Sequence, residues 1–428
     1  MRVCIVAEHA STRFGGEAFL PLRYFSLLQA RGIETWLIVH SRTRTELAEL
    51  LPRDMDRILF VPDLWIHRFL FRLSRHLPRR LSEATFGLLN QIITQLCQRS
   101  MLRRLIRKQE IDVVHQPIPI SPRFPSALFG LGISVVIGPL NGGMEYPAAF
   151  RGNESWMSRA TIAFLKVFAD AGNSLLPGKK RAAVVLVANE RTRNALPKRI
   201  RGRVIEMNEN GIDIETWHSE SGNAVRTAPL FVFVGRLVDW KALDIAIRAL
   251  AQVPTAELDV VGDGPMLETW KSLAQELGVS QHVHFVGRET QPQYAARLRQ
   301  SVGLVLPSLY ESGGAVVLEA MATAKPVIAT RWGGPVDYLD SSCGILVDPQ
   351  SYGALVMGFA EAMQKLIDHP ELAKAMGEAG RKRAVREFDW QRRIDRMIGI
   401  YGAVVNKPTF GHELTCHCGA CLPHAATK

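Results

Sequence analysis

Tyr310-Glu311-Ser312-Gly313-Gly314-Ala315-Val316-Val317-Leu318-Glu319-Ala320-Met321 is the stretch on which the reading of this chain turns. Two carboxylates lie eight positions apart across a glycine turn. The apolar run Val302 to Pro307 before it reads as a buried parallel strand. A helix starting near Ala315 then buries Val316, Val317 and Met321. Glu311 is therefore expected at the carboxyl end of a strand, and Glu319 two turns up the following helix. Gly313 and Gly314 let backbone N–H groups approach a ligand at a helix N-terminus, which favours anions. A carboxylate on each side of a phosphate cradle suits a sugar nucleotide: one binds sugar hydroxyls, the other ribose hydroxyls.

The rest of the chain supplies the setting. Strands are expected at Val3–Ala7, Thr35–Val39, Ile58–Val61, Val113–His115, Val135–Ile137 and Val184–Ala188. In the second half they are expected at Leu230–Val234, Leu258–Val261, Val283–Val286, Leu304–Leu306, Val327–Ala329 and Ile345–Val347. Helical patterns alternate with them, among them Ala18–Ala30, Leu243–Ala251 and Met266–Leu277. That alternation predicts an α/β protein with two doubly wound, Rossmann-like domains and a ligand cleft at the carboxyl ends of both sheets. The expected division is a first domain over 1–208, a second over 209–389, a final helix over 390–406 and a tail over 407–428. The final helix carries Ile394, Met397, Ile398, Tyr401 and Val404 at helical spacing and must bury that stripe.

Charge separates the halves. Residues 1–200 hold 29 Lys/Arg against 15 Asp/Glu, and the remainder holds 23 against 26, so the first half is net +14 and the second −3. Between Arg68 and Lys108 there are ten Lys/Arg and one acid, Glu83; Trp65 leads into the stretch, and Phe69, Phe71, Leu73 and Phe86 are interleaved with it. Arg68, Arg72, Arg75 and Arg79 recur at helical spacing. A basic face beside a Trp/Phe/Leu face is the pattern of an interfacial helix on anionic membrane; a solvated face packed on its own domain is the alternative. No nucleic-acid recognition motif is present, so nucleic acid is not an expected partner.

No run reaches the roughly 18 apolar residues that a membrane span needs. Met1 to Glu8 reads as a first strand rather than a signal peptide. Cys4, Cys97 and Cys343 stand in apolar contexts as free thiols do, which points to the cytoplasm. His412, Cys416, His417, Cys418, Cys421 and His424 crowd the tail without a paired Cys-x-x-Cys framework, and a disordered tail is expected there.

Gly235-Arg236-Leu237-Val238-Asp239-Trp240-Lys241 follows a strand. Two cations five residues apart can clamp a diphosphate and neutralise its charge as it leaves. Gly262-Asp263-Gly264-Pro265, Lys325-Pro326-Val327-Ile328 and Gly333-Gly334-Pro335 follow in order. This series, with the Glu-x7-Glu element, resembles the retaining glycosyltransferases of family 4, which have the GT-B fold. Ser312-Gly313-Gly314 places it near a branch in which Ser-Gly-Gly replaces the commoner Gly-Phe-Gly. The resemblance covers residues 230–350 and is weaker before them, at Gly15-Gly16-Glu17, Asp112–Pro117 and Glu209–Asp213.

The resemblance implies roles. Arg236 and Lys241, in the loop from Gly235, would bind the donor diphosphate. Glu311 would meet hydroxyls of the transferred sugar and Glu319 the ribose. The backbone at Gly313, Gly314 and Ala315 would help hold phosphate, and Val286, Gly287 and Arg288 would lie against the base. Gly15 and Gly16 would shape the donor and acceptor side, and His115 would touch the sugar at the reacting centre. The final helix would cross back onto the first domain. No cofactor and no metal is expected: Asp54-Met55-Asp56 lies between Arg53 and Arg57 and reads as a charged turn.

These residues predict transfer of a sugar from a nucleoside-diphosphate sugar to a hydroxyl of a glycan or lipid-linked acceptor, at the cytoplasmic face of a membrane. An inactive sugar-nucleotide-binding protein and a transferase with a small soluble acceptor are the alternatives. A nicotinamide dehydrogenase is disfavoured, because Gly262-x-Gly264-Pro265 lacks the third glycine of the dinucleotide fingerprint.

Overall fold

A computed structural model describes residues 1–14, 16–75, 83–153, 170–218 and 228–405. Gly15, Arg79 and the Cys/His tail from 407 onward lie outside the described residues. Among the described residues, thirteen parallel strands form two sheets. Seven strands, β1 (Arg2–Val6), β2 (Glu34–His40), β3 (Ile58–Val61), β4 (Val113–Gln116), β5 (Ser134–Leu140), β6 (Val184–Val187) and β7 (Arg203–Glu206), lie in the order β3-β2-β1-β4-β5-β6-β7. Six more, β8 (Leu230–Val234), β9 (Glu257–Val261), β10 (Val283–Gly287), β11 (Gly303–Leu306), β12 (Val327–Thr330) and β13 (Gly344–Val347), lie in the order β10-β9-β8-β11-β12-β13.

The strands read as unbroken apolar runs because both faces of each sheet are covered. In β1, Val3 and Ile5 join one core of the first domain while Cys4 and Val6 join another. Val113 and Val114 divide in the same way, as do Val184 and Val185. Successive side chains leave a strand on opposite faces, so this division between two cores follows from the pleat. The sequence pattern missed β7. Its Arg-Val-Ile-Glu sequence sits at the sheet edge with charged, exposed ends, so its apolar signal is only two residues long.

The helix Trp390–Val405 crosses back to the first domain. Trp390, Ile394, Met397, Tyr401 and Val404 enter the core that holds Val3, Ile5 and Tyr24. Burying Ile394, Met397 and Val404 contributes roughly 1.5–3 kcal/mol each. Arg31 with Asp395, and Ser134 Oγ donating to the Val404 carbonyl at 2.9 Å, fix the register of this helix on the domain. Cys4 and Cys343 are buried free thiols, and Cys97 is half-buried. Asp54-Met55-Asp56 lies in a short 3-10 turn, Pro52–Arg57, ahead of β3.

Candidate active site

The carboxyl ends of the two sheets face each other, and the loops that leave them meet. Trp332 Nε1–H donates to the Glu145 carbonyl at 2.8 Å, and Asn189 Nδ2–H donates to Asp337 Oδ2 at 2.7 Å. Arg191 pairs with the same Asp337 at 3.2 Å, and Arg23 pairs with Asp213. Tyr146 and Tyr310 bring ring centroids within 5.3 Å.

On the second domain, β8 ends at Val234 and the chain passes through Gly235 and Arg236 into a short 3-10 turn, Asp239–Lys241. Gly262 must be glycine: its φ is +141°, and a Cβ there would overlap the Gly235 carbonyl oxygen. The β8 and β9 loops are thereby packed backbone to backbone. The Trp240 carbonyl accepts the Leu309 N–H at 2.9 Å, which ties the Lys241 loop to the loop leaving β11.

That bond brings the two halves of the expected site together. The Lys241 ammonium forms an ion pair with Glu311 Oε2, and both side chains are largely buried. Ser308 Oγ–H lies 3.4 Å from the same oxygen. Gly314 takes a left-handed conformation, φ +83°, and is the N-cap residue of the helix Ala315–Ala322, with no side-chain hydrogen bond to the cap; a Cβ on Gly314 would lie 3.1 Å from Glu311 Cγ, so the carboxylate side chain packs against this helix start. Arg236 is exposed beside this loop. The arrangement is a cation, a carboxylate and a helix N-terminus around one turn, which is what an anion carrying a hydroxylated group requires.

Glu319 lies on that helix. Desolvation pushes its carboxyl up to about 7, against a hydrogen bond from the Tyr294 hydroxyl. Tyr294 went unnoticed in the sequence; it lies 25 residues away, on the helix Gln291–Gln300, whose only outward signal is its Thr290 to Gln293 capping box. Val286 and Gly287 end β10, with Gly287 left-handed at φ +78°. Arg288 is exposed and lies 3.6 Å from Asp263. Gly16 opens the first-domain helix Gly16–Ala30 and is exposed.

His115 is not brought to this site. It is fully buried within β4, with Nε2 2.6 Å from the Gly138 carbonyl and Nδ1 2.7 Å from the Tyr401 hydroxyl. Burial lowers its pKa to about 4. Both ring nitrogens are engaged by the protein, so contact with a reacting sugar is corrected to a core role that joins β4, β5 and the crossing helix.

Among the described residues, His40, Asp63 and His67 bring possible metal donors within 4.8 Å of one another. Their hydrogen bonds give an account without an ion. Arg42 N–H donates to His40 Nδ1 at 3.3 Å, which leaves the proton on Nε2, 3.5 Å from His67 Nδ1. His67 Nε2 then faces Thr94 Oγ1 at 3.4 Å. Binding a cation through His40 Nε2 would move the proton to Nδ1, against the Arg42 N–H. Arg42 and Arg68 also lie 3.8 Å from Asp63. The trio anchors the helix Trp65–Ser74 to β2.

Residues 214–383 match the family described as "Glycosyl transferases group 1". The GDP-mannose-dependent alpha-(1-6)-phosphatidylinositol monomannoside mannosyltransferase of Mycolicibacterium smegmatis is 37% identical over 188 residues, 40% of this chain and 47% of that protein. The D-inositol 3-phosphate glycosyltransferase of Corynebacterium glutamicum is 31% identical over 224 residues, 49% of this chain and 52% of that protein. The chain thus spans about half the length of the curated relatives it matches. Sucrose-phosphate synthase from Thermosynechococcus elongatus superposes with a TM-score of 0.63 at 19% identity, over 94% of this chain and 98% of that one. Anabaena HepE in complex with UDP superposes with a TM-score of 0.66 at 16% identity, over 94% and 99%. Residues 214–383 are accordingly a Glycosyl transferases group 1 domain, carried in a chain with the GT-B fold.

Proposed function

We propose that this protein is a retaining glycosyltransferase that moves a sugar from a nucleoside-diphosphate sugar to a hydroxyl of a lipid-linked or membrane-proximal glycan. The observation that carries the transfer reading is the meeting of Lys241 and Glu311 beside a helix N-terminus, in the cleft between two Rossmann-like domains. Lys241 and Arg236 bind the diphosphate, Glu311 the sugar hydroxyls, and Glu319 the ribose, while Val286 to Arg288 border the base. The relatives support the donor class by name: one uses GDP-mannose, and HepE binds UDP.

The chemistry follows from placement. The bond between the anomeric carbon and the diphosphate oxygen breaks, with its electron pair leaving on the diphosphate. The acceptor oxygen bonds to the same face of that carbon, and its proton passes to the departing phosphate oxygen. Lys241 and Arg236 stabilise the negative charge that develops, and the cleft supplies orientation. The experiment is incubation with UDP- and GDP-sugars, reading nucleoside diphosphate release and the anomeric configuration of the product by NMR. An α-donor is expected to give an α-product; an inverted product overturns the mechanism, and no release above background with any donor overturns the function.

The acceptor reading rests on one surface. Along the helix Trp65–Ser74, His67 and Leu70 face inward, while Trp65 (71% exposed), Phe69, Phe71 and Leu73 face out beside Arg68, Arg72 and Arg75. Exposed aromatic side chains next to cations suit the headgroup region of an anionic bilayer, at about 1 kcal/mol per Lys/Arg. Among the described residues no helix is long and apolar enough to cross a membrane. Co-sedimentation with vesicles containing anionic lipid is expected to be strong at low salt and to weaken as salt screens the attraction. It should be lost when Arg68, Arg72 and Arg75 are changed to Glu. Equal pelleting of both proteins, or of neither, assigns the acceptor to solution.

A further inference from the structure

A second polar cluster lies directly beneath the Glu311 turn, and it is built from both domains. Asn141, in the loop after β5, is buried; its amide donates to Glu209 Oε1 at 2.6 Å and to the Ser312 carbonyl at 2.7 Å. Thr192 Oγ1 lies 3.4 Å from Asn141 Oδ1, while its proton has the shorter acceptor Asn189 Oδ1 at 2.8 Å. Glu209 is also buried, and its Oε1 accepts a second bond from Asn210 Nδ2 at 3.0 Å. Asn210 Nδ2 reaches the Tyr338 hydroxyl of the second domain at 2.9 Å, and the Asn210 carbonyl accepts from Arg393 of the crossing helix.

The cluster presses on the turn itself. A Cβ on Gly313 would overlap Asn210 Nδ2 and Glu209 Oε1, so the turn rests on these side chains with no space between. Its atoms are not all satisfied: Glu209 Oε2 and Arg393 Nε and Nη1 are buried without a hydrogen-bond partner. A buried carboxylate oxygen left unpaired costs stability, and a cluster that carries such a cost is a candidate for a functional role. Desolvation raises the Glu209 carboxyl to about 7, consistent with that strain.

We propose that Asn141 and Glu209 form a latch that holds the first domain closed on the second and sets the position of the Glu311–Gly314 turn. Both are positioning residues. Neither touches the donor; the Asn141 amide bridges the interdomain carboxylate and the Ser312 carbonyl, so closing the cleft and ordering the turn are one event. Opening the domains takes the Asn141 amide away from the Ser312 carbonyl. The proposal rests on the reading of that turn as the sugar-nucleotide site.

Three variants test it: Asn141→Asp, Glu209→Gln and the double substitution. Asn141→Asp is isosteric but turns the shared donor into a carboxylate facing Glu209 and the Ser312 carbonyl. It is expected to raise the radius of gyration in solution scattering and to lower turnover at saturating donor by ~tenfold or more. UDP or GDP affinity by calorimetry should fall less than turnover does, because Arg236 and Lys241 both belong to the second domain and only the backbone at Gly313 to Ala315 shifts with the turn. In the double variant the amide introduced at position 209 can donate to the carboxylate introduced at position 141, so both the scattering and the turnover should recover in part. Wild-type turnover and scattering in Asn141→Asp overturn the latch. So does a loss of turnover matched by an equal loss of diphosphate affinity, which would mark a direct ligand contact. If the wild-type protein transfers no sugar, the functional reading fails, and the scattering of the three variants still decides the latch.

Discussion

Changing Glu311 to Gln should lower sugar transfer by roughly 10²–10³-fold while leaving the protein folded, because the loss of one preorganised transition-state contact costs roughly 2.7–4 kcal/mol. The side chain leaves the loop after β11, largely buried against Lys241, and Gln keeps its shape. What changes is charge. The carboxylate faces Lys241 in the free protein and, on our reading, the sugar hydroxyls in the complex. As the anomeric carbon gains positive character, a fixed carboxylate beside the ring stabilises it and holds the hydroxyls more firmly than an amide does. Affinity for the free nucleoside diphosphate should not fall, since Lys241 is released from its partner. Steady-state turnover and diphosphate calorimetry on the same preparation separate the two effects. Wild-type turnover in Glu311→Gln removes Glu311 from the chemistry.

How far the sequence carried this picture depends on the range of each interaction. Apolar runs such as Leu230–Val234 are local, and twelve of the strands follow from them. The two-residue apolar centre of β7 is below what such a pattern resolves. The crossing helix was legible because an apolar stripe with no partner nearby must find one elsewhere, and the first-domain core receives it. Lys241 and Glu311 lie 70 positions apart, yet each sits just after a strand, so the parallel topology alone brings them to one sheet edge.

Asn141 and Ser312 are separated by 171 positions and by the domain division. Nothing in either local sequence sets the angle between the domains, so their contact was not legible. His115 was misread for a related reason. Its place after Val113-Val114 fits a strand end, but β4 continues to Gln116, and Tyr401 arrives from the far end of the chain to close over it.

Lys241 and Arg236 should differ in a way that identifies their roles. Both cations are expected to bind the diphosphate, and a hydrogen bond to a charged group contributes about 1.5–3 kcal/mol, so Arg236→Ala should weaken UDP or GDP binding by roughly ten- to a hundredfold. Lys241→Ala should weaken it more. It removes one cation and also leaves the Glu311 carboxylate, largely buried, without its partner and facing an incoming dianion. Glu311→Gln in the Lys241→Ala background should therefore restore part of the lost diphosphate affinity, although it abolishes transfer. The same change in the Arg236→Ala background should restore little, because Arg236 is exposed and no ion pair with Glu311 forms there. Calorimetry on this pair of double-mutant cycles measures the coupling directly. Strong coupling of Glu311 to Lys241 and weak coupling to Arg236 is the expected result. Unchanged diphosphate affinity in both single variants would move the clamp to other residues, and equal coupling in both cycles would mean that the Lys241–Glu311 pair does not govern access of the diphosphate to the cleft.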